Sequence, residues 1–157
     1  SEAPRCVWAA SAGLVMTFMS AEFCDTNVIA YAYDKSAPAK QASARRLLGK
    51  LWTSGNGRVS VQVLQELYVT LTRKAAFAMP VADARDVVRN LATWRHFTPG
   101  APAVVQAIDE AQRLNVSFWD AMLIVAANDL GCSVLWSEDF SDGQQYGSVT
   151  VRNPFAR

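Results

Sequence analysis

Glu22-Phe23-Cys24-Asp25-Thr26-Asn27-Val28-Ile29-Ala30-Tyr31 is the stretch on which the fold turns. Its apolar run stops on an acid and then restarts with helical spacing. Phe23 and Cys24 suit a buried strand, whereas Val28, Ile29 and Ala32 recur at the interval of a helix face. Asp25 therefore falls on a strand-to-helix turn, where a carboxylate serves either as a helix cap or as a ligand. In open parallel sheets, ligands gather beyond the carboxyl ends of strands, where loop backbone and side chains are free to face them.

Strand and helix signals alternate along the rest of the chain. Asp34-Lys35-Ser36-Ala37-Pro38 reads as a turn, and Pro38 suits the first turn of a helix running to about Thr53. That helix turns Ala44, Leu47, Leu48 and Leu51 inward and leaves Lys40, Arg45, Arg46 and Lys50 wet. Gly55-Asn56-Gly57 ends it, and Arg58-Val59-Ser60-Val61 follows as a short strand. From Gln62 to Lys74, the residues Leu64, Leu67, Tyr68 and Leu71 mark one helical face, with Glu66 beside it. Met79-Pro80 opens another helix, in which Val81, Val87, Val88 and Leu91 are expected to form a buried stripe. After the Pro99-Gly100 break, residues 102–114 are expected to pack through Val104, Val105, Ile108, Ala111 and Leu114.

Ser117-Phe118-Trp119-Asp120 has capping-box spacing, and the following Met122 to Ala127 is apolar on every side, which predicts a buried helix. Gly131 can end that helix. Cys132 to Trp136 then reads as a buried strand that runs out at Ser137-Glu138-Asp139, and Ser148 to Val151 as a last strand. Strands alternating with helices imply a mainly parallel sheet covered on both faces. Such a sheet brings Asp25 and Asp139 to one edge. Asp120 opens a helix that enters the following strand from the opposite end, so topology alone does not bring it there. An acid in a first helical turn also satisfies free amides and the helix dipole without any chemistry.

With 157 residues and 51% apolar content, the chain can bury one substantial core, which predicts a single domain. The net charge of +1 hides an asymmetry, since residues 35–95 carry 11 bases against 3 acids while both flanks are acidic. A basic middle between acidic flanks suits a surface that holds a polyanion while acids elsewhere act on it. Cys6, Cys24 and Cys132 are odd in number and lack Cys-x-x-Cys spacing, which argues against a disulfide framework or a zinc site and for a reducing compartment. His96, the one histidine, sits among Trp94, Arg95 and Phe97 and reads as structural, so no serine or cysteine nucleophile can be paired with it. Arg5 before the apolar run Cys6 to Phe18 resembles the start of a signal peptide, but the run is short for a membrane span. Residues 1–18 are expected to be an extension outside the fold, with Met19 as the natural start and 19–157 as the domain.

The segments Asp25-Thr26-Asn27, Gln65-Glu66-Leu67-Tyr68, Phe118-Trp119-Asp120-Ala121 and Ser137-Glu138-Asp139-Phe140 together resemble the PIN-domain ribonucleases. The likeness is closest to the VapC-type toxins of bacterial toxin–antitoxin pairs, and it spans about Met19 to Phe155. It implies an α/β fold with three α/β/α layers around a central, mainly parallel sheet. It also implies that Asp25, Glu66, Asp120 and Asp139 form an acidic quartet around magnesium or manganese. Asp25, Asp120 and Asp139 would be the metal ligands, with Asn27 and Ser137 as supporting polar groups. The fourth acid varies in position within the family, which leaves Glu138 and Asp142 as substitutes for Asp139.

By the same resemblance the activity is metal-dependent cleavage of RNA leaving a 5′-phosphate and a 3′-hydroxyl. The protein would be a cytoplasmic homodimer, held by a small cognate antitoxin and independent of membranes. The chemistry agrees: clustered carboxylates without a cation repel a phosphodiester and raise one another's pKa values, and a cation resolves both problems. A phosphotransfer enzyme using Asp25 as nucleophile would favour a second acid two residues on, where this chain has Asn27. A catalytically silent RNA-binding domain would be signalled by loss of the acids, and all four are present.

Overall fold

The computed structural model describes residues 20–156 and consists of a six-stranded sheet covered by helices in three layers. The extension of residues 1–18 and the start at Met19 lie outside the described residues. The strands are β1 (Glu22–Cys24), β2 (Gly57–Ser60), β3 (Arg95–Phe97), β4 (Val134–Trp136), β5 (Gln145–Tyr146) and β6 (Val149–Arg152). They lie side by side in the order β3, β2, β1, β4, β6, β5, and every neighbouring pair is parallel except β5 with β6. The helices are α1 (Thr26–Tyr31), α2 (Pro38–Ser54), α3 (Val61–Arg73), α4 (Val81–Leu91), α5 (Ala101–Leu114) and α6 (Phe118–Asp129).

Strands buried on both faces read as continuous apolar runs, as Phe23-Cys24 of β1 and Val134-Leu135-Trp136 of β4 do, whereas β2 and β6 bury Val59, Val149 and Val151 between polar neighbours. The chain leaves β1 through α1 and α2 to pair β2 on one side, while β4 pairs β1 on the other, with Cys24 opposite Trp136. The strand order thus reverses between β1 and β4. In open α/β sheets, the crevice beyond the strand ends at such a reversal is where ligands bind.

Several expectations need correction. The second strand is one residue earlier than Arg58 to Val61, because the Ser60 hydroxyl accepts from the Val63 amide at 3.3 Å and so starts α3 at Val61. Strands β3 and β5 went unread. The former is an edge strand whose Arg95 and His96 are exposed, and the latter is two residues long, so neither carries an apolar alternation. Val81 is exposed at the start of α4, which buries Leu91 as expected and Ala84 in addition, with Val87 and Val88 half-buried. Tyr68 is also on the outside of α3, where Val63 joins Leu67 and Leu71 in the core.

Helix α5 is rotated from the expected orientation, with Val104, Val105 and Ile108 exposed and Ala107 buried. Its inward face is the small-residue row Ala103, Ala107 and Ala111, against Ala121, Met122 and Val125 of α6. Small side chains let two helices approach closely, and that contact outweighs burial of the larger valines. Helix α6 is buried from Ala121 to Ala127, as its uniformly apolar sequence predicts.

Glycine is required at Gly57, where an added Cβ would meet the ring of buried Trp94 at 2.5 Å. Trp94 in turn packs edge-on against Trp52, so the ring has little room to yield. Gly57→Ala is expected to cost about 1–3 kcal/mol, the usual penalty of overpacking. Denaturant unfolding checks this; an unchanged midpoint would mean that the ring moves aside freely.

Candidate active site

Strand β1 ends where the Asp25 amide donates to the Trp136 carbonyl at 2.9 Å, and the next residue begins α1. Asp25 is the N-cap: its Oδ1 accepts from the Thr26 amide at 2.7 Å. Its Oδ2 faces β4, accepting from Ser137 Oγ at 2.8 Å and from Asn27 Nδ2 at 3.4 Å. The cap and the strand-end acid are therefore the same carboxylate, 4% exposed. Ser137 is fully buried, is fixed by its own amide donating to Arg152 O, and also accepts from the Asp139 amide at 3.1 Å. Asn27 spans the gap between the strand ends: its Nδ2 donates to Asp139 Oδ2 at 2.9 Å and its Oδ1 accepts from the Glu138 amide. Asp25 and Asp139 thus share both Asn27 and Ser137 as partners.

Glu66 comes from α3 and is held at both oxygens. Thr26 Oγ1 donates to Oε2 and Gln62 Nε2 donates to Oε1, each at 3.0 Å. Gln62 Nε2 also reaches the Trp119 carbonyl at 3.4 Å, which ties α3 to the first turn of α6, where Asp120 sits. The Asp120 amide is capped by Ser117 Oγ at 3.1 Å, and its carboxyl is half-buried. Topology left the place of Asp120 open, and the packing of α6 brings it within electrostatic reach of Asp139 and Glu66. Thr26 and Gln62 were missed from sequence. Gln62 carried a signal, since it lies four residues before Glu66 on one helix face.

The electrostatics follow from this crowding. Burial raises Asp25 from 3.8 to about 7; the bonds from Ser137 and Thr26 pull the other way, and the charges of Asp139 and Glu66 add to the rise. Burial likewise raises Asp120, helped by Asp139 and Glu66 and opposed by Ser117. Two substitutes considered for Asp139 have other partners. Glu138 pairs with Lys40 at 2.9 Å, whose ammonium lies over the rings of Tyr31 and Phe155. Asp142 accepts from the Asn153 amide at 2.8 Å, beyond the end of β6. His96, on β3, bonds the Trp94 carbonyl and stands outside the network.

Asp25, Asn27, Glu66, Glu138 and Asp139 all line a cavity of about 670 Å³, within the 300–1,000 Å³ range of ligand pockets. Asp120 and Ser137 are not in its lining. Among the described residues, no three His, Cys, Asp or Glu side chains form a ready-made cation cage. The donor chemistry nevertheless fits a hard divalent cation, because the convergent groups are carboxylate oxygens, and magnesium keeps several waters and needs few protein ligands. A carboxylate raised to about 7 by burial, with the charges of Asp139 and Glu66 adding to the rise, is also what a cation would relieve.

A family model described as the PIN domain matches residues 23–141. Among solved structures, the crystal structure of Mycobacterium tuberculosis VapC20, described as a Sarcin-Ricin loop cleaving toxin, is similar with a TM-score of 0.57. The two sequences are 24% identical, and the match covers 73% of this chain and 87% of that one, a likeness that speaks to the fold. No curated protein matches the chain.

Proposed function

The chain belongs to the PIN-domain family, and from that premise we propose that it is a metal-dependent endoribonuclease, the toxin of a bacterial toxin–antitoxin pair. The observation that carries this reading is the linkage of Asp25, Asp139 and Glu66 through Asn27, Ser137 and Thr26 at the reversal of strand order. Asp25, Asp120 and Asp139 would hold Mg2+ or Mn2+, and Glu66 completes the catalytic set. When bound, the cation lowers the pKa of the attacking water and offsets charge on the phosphate and the leaving oxygen.

The chain's own side chains do the positioning. Asn27 and Ser137 keep Asp25 and Asp139 from splaying apart under mutual repulsion. Thr26 and Gln62 each bond one oxygen of Glu66 and fix its carboxylate, so that its remaining lone pairs can orient the attacking water. In-line displacement then leaves a 5′-phosphate and a 3′-hydroxyl. An aspartate nucleophile would favour a second acid two residues on, and this chain has Asn27 there, bonded to Asp25 and Asp139.

The toxin assignment brings a homodimer, a small cognate antitoxin and a cytoplasmic site of action. No helix among the described residues is long and apolar enough to cross a membrane. The structural relative is a Sarcin-Ricin loop cleaving toxin, which makes a Sarcin-Ricin loop RNA a first substrate to try. Incubation of the purified chain with that RNA and with total cellular RNA, in magnesium or in chelator, tests the reading through the 5′ ends produced. Absence of any metal-dependent cleavage would sink it.

A sharper test concerns the acids after β4. Asp139→Asn should weaken magnesium dependence and cleavage more than Glu138→Gln or Asp142→Asn, because only Asp139 shares Asn27 and Ser137 with Asp25. Magnesium titrations of the cleavage rate decide it. A parental profile for Asp139→Asn beside a large loss in either neighbour would move the role.

A further inference from the structure

The cavity extends beyond the linked acids Asp25, Glu66 and Asp139, and Asp34, held by Ser36, also lines it. Part of its lining runs along α3, where Gln65, Glu66, Val69 and Thr70 form one helical stripe that continues from the acids to Lys74. Glu66 and Lys74 are eight residues apart on the helix, about 12 Å at 1.5 Å per residue. Beyond Lys74 the chain folds back. The amides of Phe77 and Ala78 donate to the Lys74 carbonyl at 3.0 and 2.9 Å, and the Met79 amide donates to Leu71 O at 2.9 Å. This turn, with Ala78 in the left-handed region at φ 40°, places Ala76 and Phe77 in the cavity wall.

Lys74 is the one cation in a lining that also holds Asp25, Asp34, Glu66, Glu138 and Asp139. It is exposed and makes no ion pair among the described residues, unlike Lys40, which Glu138 neutralises. A lysine at a helix C-terminus can simply complement the helix dipole, but Arg73 already lies in that last turn. A lone ammonium at the far end of an acidic cavity is instead placed to meet an anion that spans it. Half-buried Phe77 beside it offers apolar surface of the kind on which unpaired bases stack.

We propose that this arm of the cavity is the track of the RNA strand flanking the scissile bond, with Lys74 contacting the neighbouring phosphate. The inference rests on the ribonuclease reading and adds the direction in which the strand leaves the acids, along α3 toward its C-terminus. It makes Lys74 a substrate-binding residue and Phe77 the base contact next to it.

The test measures steady-state cleavage of one single-stranded RNA over a series of salt concentrations, for the parent chain, Lys74→Met, Lys74→Arg and Lys50→Met. Lys50 is an exposed lysine of α2 outside the cavity. Lys74→Met is expected to raise KM about tenfold, the loss of one charge-assisted contact. It should also reduce the slope of log KM against log salt by about 0.7, the counterion release of one single-strand phosphate contact. Lys74→Arg restores both, and Lys50→Met leaves both at the parental values. A parental slope in Lys74→Met overturns the inference, whatever its KM, while leaving the ribonuclease reading intact. A parent chain that cleaves no RNA overturns that reading and this inference with it.

Discussion

Asp25→Asn is expected to abolish RNA cleavage without unfolding the protein, and Asp120→Asn to do the same. The loss should exceed about 100-fold, which is the upper range for removing a mere outer partner of a metal ligand. The fold should survive because the cap survives. Asparagine is as good an N-cap as aspartate, so its side-chain oxygen can still accept from the Thr26 amide, while its Nδ2 donates to Ser137 Oγ in the reverse of the parent's bond and forgoes only the long 3.4 Å contact from Asn27. The Ser117 cap of α6 is a bond from the Asp120 amide, and the Ser117 hydroxyl that also favours the Asp120 carboxylate can donate equally to an asparagine oxygen, so the amide analogue leaves the cap in place. Circular dichroism of both variants beside RNA cleavage in magnesium checks the pair. Parental activity in either folded variant would remove that acid from the catalytic set. Activity that persists in the parent under excess chelator would remove the metal.

Much of the fold was legible because its centre obeys local rules. Phe23 and Cys24 are apolar on both sheet faces, and Asp25 sits where a cap must, so β1, the turn and α1 could be read from ten residues. The parallel arrangement then fixes Ser137 and Asp139 beside Asp25. What escaped was decided by tertiary packing. The outward rotation of Val104, Val105 and Ile108 follows from the alanine row of α5 meeting α6, a preference for close approach that hydrophobic periodicity does not encode. Strands β3 and β5 depend on neighbouring strands for their pairing and carry no pattern of their own. Asp120 was legible as a cap-adjacent acid but not as a neighbour of Glu66, because its position depends on how α6 lies over the sheet. The Gln62 bond to the Trp119 carbonyl marks that contact, and it joins residues 57 positions apart.

Metal-free protein should lose stability as pH rises from about 4 to about 8, and Asp25→Asn should remove the share of that loss that Asp25 carries, leaving the share of Asp120. Asp25 has a folded pKa of about 7, raised from 3.8 mainly by burial. Between those values the native state holds a proton that the unfolded state has released, so stability falls with increasing pH. The contribution is fully present below the unfolded value and is lost as pH passes through the folded one. For a carboxyl this deeply buried, the displacement corresponds to a penalty on the order of 4 kcal/mol above neutral pH. Asparagine carries no charge at any pH, so the variant should melt well above the parent in chelator at pH 8, and the gap should close toward pH 4. Saturating magnesium should then stabilise the parent at pH 8 and leave Asp25→Asn nearly unmoved, since a ligand stabilises only the state that binds it. Thermal melts of both proteins at pH 4, 6 and 8, with chelator or magnesium, make the measurement. A gap independent of pH would mean that Asp25 is already ionised at little cost, and magnesium that stabilises both chains equally would place the cation elsewhere.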